Sequence, residues 1–537
     1  MNIFVDNLLP AWKTFIDSEC YVNDLSTRES GYDIYIVHPE NSSSIISKSP
    51  CVIVSSFDLL NRIKKNKILE KYFVSTNYSA SNFSVVHKEG EDKTVVMCVV
   101  KTLDNMYILY DVKTDENYNC HNQSIKKIII DYKESAFCYE KMSYIDKRNI
   151  RRYQNKIIHL ASDLLNKPLV SIWKYPYHHK NVFNLRIDVD PDRNVSEVKA
   201  LQRINNTIDL LSGYSDRVTM ALNFYKRMPN YYEFVNSFKD IFDIANHGFF
   251  HHNFFDKYHL KKNISLPESL LFSKQRPVSG YISPEYFWNK HTPSIIGQQG
   301  YSYASSLGND YCSYPYRQIH NGSVQQYFEI PTNPLVYGKF KQYYNNIDSI
   351  LNSYTNLVIN SSLNTQEPCL LYEHPAIIGE HPDVAKTLFD TADNCGFYPI
   401  TLSGFSDWLS RRMELSSNIY YDSSANIIGI DKSFINMTEF SVSYRAPNCN
   451  DTKVYKLKDV SKVKISSCSP AITIYNEPDD YTIGSTLSYN NERTISIFSN
   501  YKHLMKTYNA YYLFYKYLFL KKYPLIKRSE ERRVGKE

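Results

Sequence analysis

No run of eighteen apolar residues occurs in the 537-residue sequence, so no segment is expected to cross a bilayer as a helix. The opening stretch, MNIFVDNLLPAWKTFIDSEC, lacks the basic start and long apolar core of a secretory leader and does not read as one. The ten cysteines lie singly, with no CxxC pair, which argues against a disulfide framework and against a thiolate zinc site. Free thiols in a reducing cytoplasm are the expectation. An excess of either charge is also missing. The 62 Lys and Arg against 56 Asp and Glu leave a net charge of +6, too mild to call for a nucleic-acid partner. Tyrosine is plentiful, at 47 residues, but a chain also rich in Asn, Lys and Ile acquires tyrosine from AT-rich coding. The tyrosine count alone therefore does not indicate carbohydrate stacking.

Hydrophobic residues at 43% and charged residues at 22% describe a globular chain,, and its length suggests about three domains. Residues 1–165 mix short strand-like runs (GYDIYIVH, PCVIVSS, TVVMCVVKTL, YILYDV) with Asn/Ser-rich turns and end in a helical stretch,. They are expected to form a mixed α/β accessory domain. The stretch KPLVSIWKYPYHHKN reads as a linker exposing His178 and His179. Over residues 175–415, apolar strands (FNLRIDVD, RVTMALNFY, DIANHGFF, VSGYIS, CLLYEHP, FYPITL) alternate with helix-like segments. That rhythm predicts βα units around a parallel sheet or barrel, with chemistry at the C-terminal ends of the strands. Residues 416–527 turn to short strands (NIYYD, NIIGID, FSVSYR, KVKISS, AITIY) and read as a β-rich domain,. Its aromatic and basic end, YNAYYLFYKYLFLKKYPLIKR, is expected to pack back on that domain, with contact to a membrane surface as the alternative. Residues 528–537 share nothing with what precedes and read as a non-native tail.

The segment NVFNLRIDVDPDRN sets charge into an apolar strand. Phe183, Leu185, Ile187 and Val189 alternate with Asn184, Arg186, Asp188 and Asp190, a period of two that gives one apolar and one polar face. Unpaired buried carboxylates are costly, and a dication with Arg neighbours offsets that cost. Downstream, in IANHGFFHHNF, His247 and His251 are four residues apart, so two imidazoles converge on one ion if the segment turns helically. One carboxylate with two histidines is an open catalytic set that leaves room for water and substrate. His252 points elsewhere and is expected to be a bystander. In QRPVSGYIS, Arg276, Pro277 and Gly280 suggest a stiff turn delivering a guanidinium, and His374 ends the strand CLLYEHP.

In that order, Asp188/Asp190, His247-x3-His251, Arg276-Pro-x-x-Gly280 and His374 resemble the polysaccharide deacetylases, the NodB-homology carbohydrate esterases of family four. The resemblance covers less than half of the chain. It implies a distorted (β/α) barrel with one divalent metal, zinc foremost, on Asp190, His247 and His251. It also implies Asp188 as general base, Arg276 orienting it, His374 as general acid, and the Ser279 N–H in an oxyanion hole. The sequence departs from the family pattern in three places. RIDVD replaces adjacent aspartates after Thr-Phe, which leaves the roles of Asp188 and Asp190 exchangeable. Ser279 stands where an aromatic residue is common, and Tyr-Glu precedes His374. The expected activity is removal of an N-acetyl group from an amino sugar in glycan-precursor or surface-polysaccharide synthesis, with an N-acetylated sugar or glycan as partner. The rivals are an amide hydrolase of the same fold on a non-sugar substrate, and a glycan-binding module without turnover, against which Asp188 and His374 speak.

Overall fold

The structure is a computed structural model. It describes residues 1–6, 9–25, 32–37, 51–55, 83–89, 94–101, 106–110, 126–132, 135–142, 148–190, 195–223, 240–252, 254, 256–270, 278–284, 291–305, 314–320, 323–332, 337, 348–430, 434, 437–461, 463–475 and 487–489. Arg276, the aromatic and basic C-terminal segment and the tail 528–537 lie outside the described residues.

A nine-stranded sheet carries the predicted βα rhythm. Its strands are β1 (Val182–Val189), β2 (Val218–Leu222), β3 (Asp243–Asn246), β4 (Gly280–Ile282), β5 (Tyr303–Ser305), β6 (Tyr316–His320), β7 (Ser323–Glu329), β8 (Cys369–Glu373) and β9 (Tyr398–Pro399). The order is β6-β7-β5-β4-β3-β2-β1-β8, with β9 beside the first residues of β1. All pairings are parallel except β6 with β7. A parallel sheet needs crossovers that cover its faces. The helices α1 (Glu197–Leu211), α2 (Lys257–Leu270), α3 (Thr292–Gln299), α4 (Asp348–Thr365) and α5 (Pro382–Asn394) supply them. The Ser196 hydroxyl starts α1 by accepting the Lys199 N–H at 3.3 Å, which satisfies one of the free donors of the first turn.

The alternation in β1 has the predicted outcome on its apolar side. Phe183, Leu185, Ile187 and Val189 join Ala200, Ile204 and Leu211 of α1 and Leu388 and Phe389 of α5 in one core. The other side faces a second core made by Ala221, Ala245, Ile282, Tyr303, Phe328 and Leu370. There helix α6 (Leu402–Ser416) closes the floor with Leu402, Phe405, Trp408 and Leu409. Its first turn is tied to the sheet by the Leu402 N–H donating to Thr219 Oγ1 at 2.9 Å and the Ser403 hydroxyl donating to Asp243 Oδ1 at 2.5 Å. Strand β1 is thus buried along its whole length.

Before the central sheet, a six-stranded sheet runs in the order Ile3–Val5, Ile34–Val37, Cys51–Ser55, Met106–Tyr110, Thr94–Lys101, Phe83–Glu89. Helices Pro10–Glu19 and Arg148–Leu165 share a core with its first strands. The stretch read as a linker is a strand instead. Leu169–Ile172 pairs antiparallel with Ser441–Arg445, where Leu169, Val170 and Ile172 are buried. The run KVKISS, expected as a strand, forms a short 3₁₀ turn at Ile465–Ser467, and Asp451–Lys456 provides the strand instead. Asn23–Asp24 pairs with Ile419–Asp422, so early and late parts of the chain share sheets. Arg412 locks this junction. Buried on α6, it donates to the carbonyls of Ile172, Trp173, Ser18 and Glu19.

Candidate metal centre

Strand register decides which side chains meet. Val189 pairs with Leu222, Leu222 with Asn246, and Asn246 with Tyr281, so Asp190, Asn223, His247 and Ile282 emerge side by side at the C-terminal ends. Ile187 pairs with Glu373, which brings His374 level with Asp188. This is the end of a parallel sheet where ligands collect, because the loops there are free to vary.

The ligand atoms of Asp190, His247 and His251 lie within 4.8 Å of one another. His247 Nε2 is 3.1 Å and His251 Nε2 3.0 Å from Asp190 Oδ1, and His374 Nε2 is 3.5 Å from Oδ2 of the same carboxylate. The histidine spacing works by a different route from the helical turn expected of it. His247 through His252 is an irregular bend, and Gly248 reverses the chain at φ +78°, a conformation other residues adopt at a cost. Side-chain amides brace the bend. The Gly248 N–H donates to Asn246 Oδ1 at 2.8 Å, Asn223 Nδ2 to the Gly248 carbonyl at 3.0 Å, and Asn263 both accepts from the Phe250 N–H and donates to the His252 carbonyl. His252 turns into the core against Phe254, a bystander as expected.

The donor set fits a cation. His247 Nδ1 lies 2.9 Å from the Ile282 carbonyl, which can only accept, so Nδ1 carries the proton. In neutral imidazole Nε2 then presents a lone pair, and that lone pair faces a carboxylate oxygen. Two lone-pair atoms at 3.1 Å repel unless a positive charge sits among them. A carbonyl that fixes the outer nitrogen is the usual support of a metal-ligating histidine. Burial pushes the Asp190 carboxyl upward, but the imidazoles gathered against it, His251 foremost, outweigh burial and hold it well below the ordinary value. Asp190 is anionic.

Asp188 is buried on β1, paired with Arg186 through Nε–Oδ1 at 2.7 Å and Nη2–Oδ2 at 2.9 Å. Glu373, buried, accepts the His374 N–H at 3.0 Å and lies 3.3 Å from His374 Nδ1. Burial works to lower the His374 pKa, and the hydrogen bonds and charges of Asp190 and Glu373 reverse that and hold it well above the ordinary value. Sequence reasoning missed Glu373, legible only as a departure from a motif, and saw Arg186 only as a charged neighbour of the aspartates without pairing it to Asp188. Ser279 stands elsewhere. It precedes β4, and its carbonyl accepts from Ser302 N at 2.8 Å, so it sits at the N-terminal end of the strand. The residues at the mouth are Ile282 and Ser283, about 10 Å further along at the usual rise per residue. The oxyanion assignment to Ser279 is therefore withdrawn.

No family model matches the sequence, and no curated protein matches it. Among solved structures, a protein from Mycobacterium smegmatis described as a polysaccharide deacetylase is 17% identical, with 44% of this chain on 91% of that one and a TM-score of 0.35. A family 4 carbohydrate esterase from Streptomyces lividans, solved in complex with acetate, is 11% identical, with 42% on 95% and a TM-score of 0.29. Part of this chain is similar to the polysaccharide deacetylases. The Puue allantoinase is also similar, at 11% identity, 43% on 90% and a TM-score of 0.37. Among the described residues, no helix is long and apolar enough to cross a membrane.

Proposed function

We propose that this protein is a metal-dependent hydrolase that removes an N-acetyl group from an amino sugar, acting in the synthesis of a glycan or its precursor. One observation carries the reading: the ligand atoms of Asp190, His247 and His251 lie within 4.8 Å of one another at the C-terminal end of a parallel sheet, with His374 Nε2 3.5 Å from Asp190 Oδ2. Those three residues would hold one divalent ion, with zinc the best match to a carboxylate and two imidazoles. Bound there, such an ion lowers the pKa of water and polarises a carbonyl.

The chain's own groups supply the rest. Asp188, near the end of β1 and two residues before Asp190, takes the proton of the attacking water. Asp190 serves as ligand rather than base, because its Oδ1 lies 3.1 and 3.0 Å from Nε2 of His247 and His251, close enough for one ion to take all three. His374, oriented through Nδ1 by Glu373, presents Nε2 toward the site and donates a proton to the departing nitrogen. Glu373 and Asp190 both favour the protonated ring, the form a general acid needs.

The test is acetate release by metal-loaded, full-length protein against nucleotide-linked and oligomeric N-acetylated sugars, with linear and cyclic non-sugar amides alongside. Release from the sugars, absent in Asp188→Asn, is expected. Turnover of the non-sugar amides alone moves the substrate class. No turnover of any amide contradicts the proposal.

A further inference from the structure

We infer that Arg186, on the strand that carries Asp188 and leads into Asp190, is the positioning residue of Asp188. The inference rests on the reading of Asp188 as base, and it gives to Arg186 the part that the sequence motif gave to Arg276. Arg186 and Asp188 lie two residues apart, so both side chains leave the same face of β1. The guanidinium meets the carboxylate fork to fork, at 2.7 and 2.9 Å, the paired geometry that fixes orientation as well as charge. Arg186 is 0% and Asp188 3% exposed, and breaking a buried pair on one side leaves a costly lone charge.

Two further strands hold the guanidinium. Its Nη1 donates to the Ser305 hydroxyl at 2.9 Å, and that hydroxyl spends its own proton on the Ile330 carbonyl at 2.7 Å. Ser305 therefore has only lone pairs to offer the arginine. Ser305 ends β5, so this contact crosses the barrel interior. On the other side Arg186 Cζ stands 5.1 Å from the centre of the Tyr372 ring on β8, within range of a cation–π contact. A guanidinium fixed from β5 and β8 cannot swing, and the carboxylate locked to it cannot rotate.

Lysine keeps the charge but has no fork, so Arg186→Lys is the informative change. In metal-loaded, full-length protein it is expected to lower kcat by about 10- to 100-fold, the scale of a small misplacement of a reacting group, with KM and bound metal unchanged. In the Asp188→Asn background the same change is expected to cost nothing further. Ser305→Ala is the milder companion should Arg186→Lys fail to fold. Its several-fold loss in kcat is likewise expected to vanish when Asp188 is already Asn. An active wild type in which the Arg186 and Asp188 losses multiply, or Arg186→Lys at wild-type kcat, overturns this role alone. A wild type that turns over no amide overturns the hydrolase reading, and this role with it.

Discussion

Replacing Gly248 with Ala tests how the two histidines are brought together. The residue sits at φ +78°, where an added Cβ would lie 3.0 Å from Asn263 Nδ2 and 3.0 Å from the Phe250 carbonyl. Left-handed backbone costs a non-glycine residue roughly 1–2 kcal/mol. The two tight contacts add on the order of 1 kcal/mol, since one is to backbone and the other to an amide already engaged in bracing the bend,. The total of about 2–3 kcal/mol falls on the turn that joins His247 to His251. At 1.4 kcal/mol per factor of ten, relaxing that turn should weaken metal binding by roughly 30- to 100-fold. Competition between the protein and a chromophoric chelator for zinc measures this directly, with a thermal melt alongside. Wild-type affinity in Gly248→Ala would refute the view that the bend, rather than the four-residue spacing alone, builds the site.

Other expectations concern charge and burial. Asp190→Asn should lose metal affinity and regain part of its rate with added metal, while Asp188→Asn should keep its metal and fall by roughly 10²–10⁴ in turnover. Metal content and acetate release on both variants read this out, and the opposite pattern means the roles are exchanged. Arg412→Met should cost about 3–5 kcal/mol in denaturant unfolding, because four buried carbonyls lose their charged donor,. A cost under 1 kcal/mol would mean the junction is held without it. Burial, with Arg445 nearby, lowers the His159 pKa from 6.5 to about 4. The unfolded chain then binds the proton more tightly, so stability is full above pH 6.5 and is lost as pH falls toward 4. The His159→Phe variant should flatten that slope, and an unchanged acid profile would count against it.

The parts of the sequence that were legible are those governed by local periodicity. The two-residue alternation of β1 identified its helix-facing residues, and the same alternation put Arg186, Asp188 and Asp190 on the opposite side. The positions that misled depend on contacts far along the chain. Leu169–Ile172 looks like a linker until Ser441–Arg445, some 270 residues later, arrives to pair with it. Ser279 was given a site role by its place in the family motif, but strand register sets level along a sheet, and register puts Ile282 beside His247. The Arg186–Asp188 pair was visible as two charges on one face. That they bind one another depends on Ser305 and Tyr372, from strands β5 and β8, which no local pattern announces.

The central claim is that this site performs metal-dependent hydrolysis of an N-acetylated sugar. The most direct measurement is acetate release by full-length protein before chelation, after chelation, and after return of one equivalent of zinc. The account predicts release that chelation abolishes and one equivalent restores, with His247→Ala and His251→Ala failing to recover at that stoichiometry. Equal release with and without chelator, or one equivalent of metal still bound when both histidines are alanine, would contradict it.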